Sequence, residues 1–328
     1  MAKEQPDIIE VEGLRKSFGN IIAVNDISFT TPKGEIFGFL GPNGAGKTTT
    51  INMLTGLARP DAGIIRIDQI NCTNTPKATQ HLIGVVPDES NLYPELTGLE
   101  NLCFCGALYG MRKTQRQSKA RELLEMFGLD DAATRRFGGY SKGMKRKLTI
   151  AAGIIHQPCV LFLDEPTTGI DVAGARQIRQ LIAELHEGGT TIFLTTHYIE
   201  EAERLCDRIA FIVSGRIVET DTVPALLQRV RGRHIVQFAI SRGAGGVCEA
   251  VKAEFPHLKS KATSNDTIHI ESSQPVKIGL LVRFIEDRGA QVAEARMVRP
   301  SLEDVFIQVT GIEATEMKRE KERAGAGV

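Results

Sequence analysis

One segment of the sequence combines glycines with a lysine and hydroxyl side chains at a spacing suited to holding phosphate groups. It matches the pattern G-x-x-x-x-G-K-[ST] and lies between the apolar run Glu35–Leu40 and a predicted helix over Lys47–Leu57. Glycines let backbone N–H groups turn around phosphates, and the start of a helix favours an anion. The lysine would neutralise phosphate charge, and a threonine hydroxyl would bind Mg²⁺. The candidate residues are Gly41, Pro42, Asn43, Gly44, Ala45, Gly46, Lys47, Thr48 and Thr49.

Two adjacent carboxylates follow the apolar run Val160–Leu163 and could complete such a site. Because side chains alternate between the two faces of a strand, Asp164 and Glu165 cannot perform the same task. We expect Asp164 to bind Mg²⁺ and Glu165 to polarise the water that attacks a phosphate. Taken alone, the pattern is equally consistent with a surface turn after a core strand.

A histidine, His197, follows the predicted strand Thr191–Thr195. In open α/β sheets ligands bind beyond the carboxyl ends of the strands, so His197 would lie at the same edge as the two carboxylates. It could donate a hydrogen bond to a phosphate and orient the attacking water. A lone histidine is more often structural, so this assignment depends on its position downstream of Asp164 and Glu165.

The elements that must position these residues alternate between strand and helix from Val160 to Cys206, which predicts a parallel sheet covered by helices. Between the two halves of the site, Thr97 and Glu100 have the spacing of a capping box. Ser141 is a candidate N-cap for a helix that continues to about His156.

The pattern of predicted strands and helices changes after residue 228. Predicted strands and helices then follow in the order strand, helix, strand, helix, strand, which suggests a small α+β domain of ferredoxin-like type over residues 229–312. Residues 313–328 are charged and then rich in glycine and alanine, and we expect them to be a frayed tail.

Composition limits the classes of protein that remain. A length of 328 residues suggests about two domains, and 40 Lys plus Arg against 40 Asp plus Glu argues against general binding to nucleic acid. The cysteines form no CxxC pair, which favours reduced thiols in the cytosol. No apolar run is long enough to cross a bilayer and none resembles a signal peptide. We therefore expect any membrane role to require a partner chain.

These motifs together resemble those of the ATP-binding subunits of ABC transporters, and the resemblance covers roughly residues 7–225. Walker A corresponds to residues 41–48 and Walker B to Val160–Asp164. The family signature, usually Leu-Ser-Gly-Gly-Gln, aligns with Tyr140–Met144, and the D-loop aligns with Thr168–Asp171. His197 aligns with the switch histidine, and Phe18 occupies the position of an aromatic that stacks on adenine.

The resemblance implies a P-loop NTPase fold of the α/β class at residues 1–228. It adds to the mostly parallel sheet an antiparallel β subdomain and a helical subdomain at about 88–158. It also implies that ATP and Mg²⁺ are bound, and that two copies form a head-to-tail homodimer. Each ATP would then lie between Walker A of one copy and Ser141, Lys142 and Gly143 of the other, beside the D-loop residue Asp171.

A narrower resemblance is to the ABC-2 export ATPases, of the daunorubicin-resistance type. It rests on three segments, Gly34–Gly41, Tyr140–Lys145 and Pro300–Phe306. In that subfamily the transmembrane permease is a separate chain. The implied protein is an ATPase that powers export from the cytoplasmic face of the membrane, to which the permease would hold it.

The sequence departs from the family pattern in two motifs. Asp88 stands where the Q-loop usually has glutamine, and although it could bind Mg²⁺, it adds negative charge near the terminal phosphate. In the signature, Lys142 replaces the first glycine and Met144 replaces glutamine, whereas Ser141 and Gly143 are retained. We expect Lys142 to be solvated, as long cationic side chains usually are, rather than to contact phosphate.

Two other functions remain open at this stage. A soluble ABC ATPase could act in translation or DNA maintenance, but such translation factors usually carry two nucleotide domains and the DNA-repair relatives carry long coiled coils. This chain has one Walker A motif and no heptad stretch of that kind. A P-loop kinase or GTPase is disfavoured because the signature is present and the base-reading Asn-Lys-x-Asp motif is not. We expect no nucleic-acid partner.

Overall fold

The computed structural model describes residues 6–230, 234–241, 243–272, 274–298 and 301–312. Backbone contacts divide the described chain into two compact units: a larger one, up to Val223 with the described residues from Val309, and a smaller one, Pro224–Gln308. The domain boundary predicted at residue 228 stays a prediction; it falls at the end of the helix Val223–Gln228, a few residues after the division between the two units. The predicted tail at 313–328 and Pro300 lie outside the described residues.

Strands predominate at the start of the described chain, and helices alternate with strands further on. The strands are β1 (Asp7–Phe18), β2 (Ile21–Pro32), β3 (Ile36–Leu40), β4 (Ala62–Ile67), β5 (Ile70–Asn71), β6 (Ile83–Val86), β7 (Val160–Asp164), β8 (Thr191–Thr196), β9 (Arg208–Val213), β10 (Arg216–Thr222), β11 (His234–Ile240), β12 (Lys259–Ala262), β13 (Thr267–Ser272) and β14 (Val292–Val298). The helices are α1 (Lys47–Leu54), α2 (Gly98–Leu108), α3 (Lys113–Met126), α4 (Lys142–Ile154), α5 (Val172–Glu187), α6 (Ile199–Leu205), α7 (Val223–Gln228), α8 (Ala244–Glu254), α9 (Ile278–Glu286) and α10 (Leu302–Thr310).

The larger unit contains a six-stranded sheet in the order β10-β9-β3-β8-β7-β6. Its strands are parallel except that β10 is antiparallel to β9. Every residue of β3 and β7 is buried, which is typical of strands covered on both faces and explains why both read as continuous apolar runs. The sequence prediction of a mostly parallel α/β sheet is therefore confirmed.

A second, antiparallel sheet of the larger unit has the order β2-β1-β4-β5. Aromatic rings join it to the first sheet: Phe29 of β2 stacks on Phe37 of β3 with ring centroids 5.4 Å apart. Phe193 of β8 lies 5.7 Å from both rings. Pairs of this kind stabilise by about 0.5–1.5 kcal/mol beyond the area that they bury.

Three helices, α2, α3 and α4, separate β6 from β7 along the chain, in the stretch that resembles the helical subdomain of the family. The predicted capping box is present: the Glu100 backbone N–H donates to Thr97 Oγ1 at 3.2 Å, and the Thr97 N–H donates to Glu100 Oε2 at 2.8 Å. Ser141 caps α4, because its Oγ accepts a hydrogen bond from the Met144 N–H at 3.3 Å.

The smaller unit has the element order βαββαβ from β11 to β14, and its sheet has the antiparallel order β12-β13-β11-β14. Its apolar core includes Val236 and Phe238 of β11, Ile268 and Ile270 of β13, and Leu281 of α9. This is the ferredoxin-like arrangement that the sequence suggested, with the additional strand β12 that the sequence pattern did not predict.

The structure also corrects the bounds of several elements. The predicted helix Lys47–Leu57 ends at Leu54, since Gly56 adopts a left-handed φ of 77° that a helix cannot continue. Short strands such as β4 and β9 were not predicted. Their signal is present as brief β-branched and apolar runs, Ala62–Ile67 and Arg208–Val213, but runs of this length are ambiguous without their sheet partners.

The strand order brings three loops to one place. β3, β8 and β7 are neighbours and parallel, so their carboxyl ends lie at the same edge of the sheet. The glycine-rich segment follows β3, Glu165 follows β7 and His197 follows β8. The fold therefore assembles the candidate residues from segments that are far apart in the sequence.

The opposite edge of this sheet carries a buried carboxylate, Glu35, just before β3. Burial raises the pKa of Glu35 from 4.5 to about 7, although the neighbouring charge of Arg208 opposes the rise. Arg208 Nε lies 3.5 Å from Glu35 Oε1, while Oε2 has no hydrogen-bond partner among the described residues. The folded protein therefore holds a proton on Glu35 more tightly than the unfolded chain does.

We predict that Glu35→Gln raises the melting temperature more at pH 8 than at pH 5. A raised carboxyl pKa stabilises the fold below about pH 4.5, and this contribution is lost as the pH rises through about 7. Because the amide of glutamine does not ionise, the variant does not lose this stability as the pH rises. Calorimetric scans across this pH range would measure the effect, with the exposed Glu187→Gln as the matched control. An equal shift at every pH would contradict the prediction.

Candidate active site

The glycine-rich loop depends on two glycines for different reasons. A Cβ on Gly41 would lie 2.1 Å from the Ile212 carbonyl oxygen, so the neighbouring strand β9 leaves no room for a side chain. Gly46 adopts a φ of 104°, and a Cβ there would lie 2.4 Å from the Ala23 carbonyl oxygen. The loop is thus pressed between β9 and β2, and its conformation is fixed before the first turn of α1.

Lys47, the first residue of α1, has a buried side chain that turns back into this loop. Its Nζ donates to the carbonyl oxygens of Gly41 at 2.8 Å and Pro42 at 3.1 Å. It also lies 3.3 Å from Glu165 Oε1. The positive charge is therefore held between the loop and the end of β7, where phosphate charge would need it.

Glu165 is the centre of the polar network. Its backbone φ of 48° is left-handed, an uncommon and unfavourable conformation for a residue with a side chain. Its Oε2 accepts hydrogen bonds from His197 Nδ1 at 2.7 Å and from Thr168 Oγ1 at 3.1 Å. Burial by itself raises the pKa of Glu165, but the His197 hydrogen bond and the charge of Lys47 outweigh it, and the pKa lies below its ordinary value. Glu165 is therefore ionised at neutral pH and can accept a proton.

The neighbouring Asp164 has different partners, as the alternation of side chains along a strand predicts. Its Oδ1 accepts a hydrogen bond from Thr195 Oγ1 of the adjacent strand β8. The same Thr195 hydroxyl accepts from the Glu165 N–H at 3.2 Å. One threonine that the sequence pattern did not single out as a site residue thus orients both carboxylate residues.

The donor set suits a nucleotide with its metal better than a resident metal ion. Among the residues that the structure describes, no group of three or more His, Cys, Asp or Glu side chains is arranged to hold a metal. Asp164 and the exposed Thr48 could each supply an oxygen ligand, so the remaining ligands of a Mg²⁺ would have to be phosphate and water oxygens. The narrow glycine-lined loop and the buried Lys47 fit the phosphates themselves.

Other candidate residues lie outside this network. Ser141 and Lys142 are exposed at the start of α4, and no hydrogen bond between described residues joins Ser141 to the glycine-rich loop. Asp171 caps α5, where its Oδ1 accepts from the Gly174 N–H at 2.7 Å. Phe18 is exposed at the end of β1, with Lys16 Nζ 5.3 Å from the centroid of its ring.

Comparison with known proteins decides the family. The family model described as ABC transporter matches residues 24–168. The linearmycin resistance ATP-binding protein LnrL of Bacillus subtilis is 37% identical over 93% of this chain and 98% of its own length. The doxorubicin resistance ATP-binding protein DrrA of Mycobacterium tuberculosis is 37% identical over 92% of this chain and 93% of its own length. This chain belongs to the ABC transporter ATP-binding proteins.

Solved structures agree with this ABC assignment. An ATP-binding subunit of an ABC transporter superposes with a TM-score of 0.62 and 29% identity, over 68% of this chain and 92% of its own. The ATP-binding cassette MJ0796, solved as a dimer in a post-hydrolysis state with ADP and Pi, gives a TM-score of 0.61 and 27% identity over 66% and 98%. The fold of this chain is that of an ABC ATPase cassette, and the protein binds and hydrolyses ATP.

Arg146 on α4 of this ABC ATPase is a site-supporting residue that sequence reasoning missed. Its side chain is 7% exposed and donates only to backbone carbonyls in the described contacts: Pro166 at 2.9 Å, Asp164 at 2.6 Å, Asp88 at 3.2 Å and Pro87. One guanidinium therefore links the backbone at the Q-loop position to the end of Walker B. Arginine suits this place because its side chain offers five N–H donors.

Asp88, the predicted metal ligand at the Q-loop position, has an exposed side chain and reaches this network through its carbonyl oxygen. Its role toward Mg²⁺ stays a prediction. The sequence signal for Arg146 was weak, because it stands between Lys145 and Lys147 in a run of cations, and only packing shows which one is buried.

We predict that Arg146→Met destabilises the larger unit by on the order of 3 kcal/mol, because several buried carbonyls lose their donors. Methionine keeps the aliphatic length, so the loss reports the hydrogen bonds rather than a cavity. The melting temperature should fall by roughly 5–10 °C in a calorimetric scan. Lys147→Met, at the partly exposed neighbour, should change it by less than about 2 °C. A wild-type melting temperature for Arg146→Met would contradict this account.

Proposed function

We propose that this chain hydrolyses Mg-ATP as one half of a head-to-tail homodimer, and that the dimer drives a separate ABC-2 type export permease. The observation that carries the proposal is the position of Glu165. It is ionised, buried, and held between Lys47 of Walker A and His197 at the carboxyl edge of the sheet. A carboxylate in this place can polarise a water molecule directed at the terminal phosphate.

Each remaining residue has one task in this proposal. The N–H groups of residues 41–46 and the charge of Lys47 hold the β- and γ-phosphates. Thr48 and Asp164 would hold Mg²⁺, which would supply positive charge against the phosphates. Because His197 uses Nδ1 toward Glu165, its Nε2 is the ring nitrogen that can approach the γ-phosphate and orient the water. Phe18, exposed at the end of β1, provides a ring for adenine.

The position of the signature supports the proposed dimer. Ser141 and Gly143 are at the N-terminal end of α4, where free N–H groups and the helix dipole favour an anion. Within one chain that end is exposed, so a second copy can present its ATP there. The dimeric state of the related cassette MJ0796 supports this arrangement. Lys142, exposed beside Ser141, is solvated in this proposal.

One of the similar proteins is named for export. Besides the two resistance proteins, a Nod factor export ATP-binding protein I of Rhizobium is 38% identical over 93% of this chain and 97% of its own length. Among the described residues, no helix has the length and apolar character needed to cross a bilayer. We therefore assign the crossing to a separate permease, which would hold this subunit at the inner face of the membrane.

The permease would dock on the segment between Asp88 and Gly110. Four large apolar side chains are exposed there: Tyr93 and Phe104, whose rings meet edge to face at 5.1 Å, Leu108, which is 70% exposed, and Tyr109, which is 41% exposed. An apolar helix of the permease is the occupant that this surface fits. Arg146 links the same segment to Walker B, which gives docking a route to the catalytic carboxylates.

We predict that Glu165→Gln traps an ATP-bound dimer. The amide keeps the shape of the side chain but cannot act as a base, so contacts to phosphate and metal persist while hydrolysis stops. Size-exclusion chromatography with Mg-ATP should show a dimer, and Lys47→Ala on the same background should return it to a monomer because phosphate binding is weakened. A strictly monomeric Glu165→Gln protein with Mg-ATP would overturn the proposed mechanism.

We predict that tagged Glu165→Gln protein, trapped with Mg-ATP in its native membranes, co-purifies with a multi-span permease in stoichiometric amount. Adding Phe104→Ser should release that partner while the dimer persists, since the change lies on the docking surface. Recovery of ribosomes or nucleic acid instead would favour the alternative, a soluble ABC ATPase in translation or DNA maintenance.

A further inference from the structure

A third carboxylate lies behind the active site and has no part in the mechanism above. Glu201 on α6 is 4% exposed, and each of its oxygens accepts one threonine hydroxyl. Thr167 Oγ1 donates to Glu201 Oε1 at 2.7 Å, and Thr196 Oγ1 donates to Oε2 at 2.7 Å. Burial raises the pKa of Glu201, and the two threonine hydrogen bonds act against this rise. A carboxyl group is costly to bury, so its two well-formed partners point to a specific role.

The two threonines stand directly before the two residues that hydrogen-bond to the Glu165 carboxylate. Thr167 immediately precedes Thr168, whose hydroxyl donates to Glu165 Oε2 at 3.1 Å. Thr196 immediately precedes His197, whose Nδ1 lies 2.7 Å from the same oxygen. One loop follows β7 and the other follows β8. Glu201 therefore links Thr167 and Thr196, and each of these directly precedes a side chain that orients the Glu165 carboxylate.

We propose that Glu201 is a positioning residue for ATP hydrolysis, whose carboxylate sets the separation of the Thr168 and His197 loops and thereby the aim of Glu165. The inference rests on the proposed role of Glu165 as the group that polarises water. Glu201 itself touches neither nucleotide nor water in this scheme. It acts by keeping two hydroxyl donors in place, so its removal should affect turnover more than nucleotide binding.

The chemistry of the pair explains why an amide cannot replace the carboxylate. A glutamine at 201 presents one acceptor oxygen and one NH₂ group, so only one threonine hydroxyl can still donate to it. Thr196 Oγ1 already accepts from the Tyr198 N–H at 3.0 Å, so its hydroxyl is oriented to keep donating to the amide oxygen. Thr167 would then face the NH₂ group and lose the hydrogen bond that its hydroxyl donates to residue 201, which shifts the loop after β7. Shifts of about 1 Å at a catalytic group can lower a rate by on the order of 100-fold.

The test compares variants of the full-length chain by steady-state hydrolysis of Mg-ATP and by melting temperature. Glu201→Gln should lower kcat by about 10–100-fold and leave KM within about twofold, with a melting temperature within a few degrees of wild type. Glu200→Gln is the matched control, since that neighbouring side chain is 88% exposed, and it should behave as wild type.

A second pair of variants keeps the test informative if Glu201→Gln fails to fold. Thr167→Val removes the hydroxyl at nearly constant shape, whereas Thr167→Ser retains it. Valine should lower kcat as Glu201→Gln does, and serine should restore it to near the wild-type value. Combining Glu201→Gln with Thr167→Val should cost little more than either change alone, because both remove the same contact.

The outcomes separate this inference from the proposed function. A wild-type kcat in Glu201→Gln, or equal losses of kcat in Thr167→Val and Thr167→Ser, would overturn the role of Glu201. The proposed mechanism of hydrolysis would still stand if Glu165→Gln were inactive. A loss of kcat that only followed a fall in melting temperature would also overturn it, since a structural role explains that result. An active Glu165→Gln protein would instead refute the proposed function itself.

Discussion

Holding one ionised carboxylate, that of Glu165, in a buried and strained position is the constraint on which this structure depends. Burying a carboxylate is unfavourable unless charge and hydrogen bonds compensate for the lost water. The compensation comes from Lys47, His197 and Thr168, which follow the three neighbouring strands β3, β8 and β7 at the same edge of the sheet. The strand order β3-β8-β7 brings these three residues together, so the sheet positions the partners of Glu165.

Two further buried charged residues support that arrangement from behind. Arg146 donates to carbonyls of the Q-loop and Walker B segments, and Glu201 accepts from threonines beside Thr168 and His197. In the hydrogen bonds between described residues, both side chains are paired with uncharged polar groups, which belong to segments that would otherwise be independent. Such fully bonded buried groups specify one arrangement of the loops, which a purely apolar contact would not.

The chain alone carries complementary halves of two sites. In the proposed dimer its Walker motifs form one half, and the signature, exposed at the start of α4, forms the other half for a second copy. ATP would then favour the closed pair because only that state makes both sets of contacts. Selectivity for a transported molecule lies outside this geometry, since a fold that binds phosphate does not define what is exported.

The sequence by itself determined the features that depend on local chemistry. Glycine spacing before Lys47, the capping residue Ser141 and the carboxylates after β7 could be read directly, because a tight loop, a helix start and a strand end each need particular residue types nearby. The ferredoxin-like unit followed from its element order. Only the tertiary structure decided that Arg146, rather than an adjacent lysine, is buried, and that Glu201 joins two loops. These roles arise from contacts between segments distant in sequence, and no local pattern encodes such contacts.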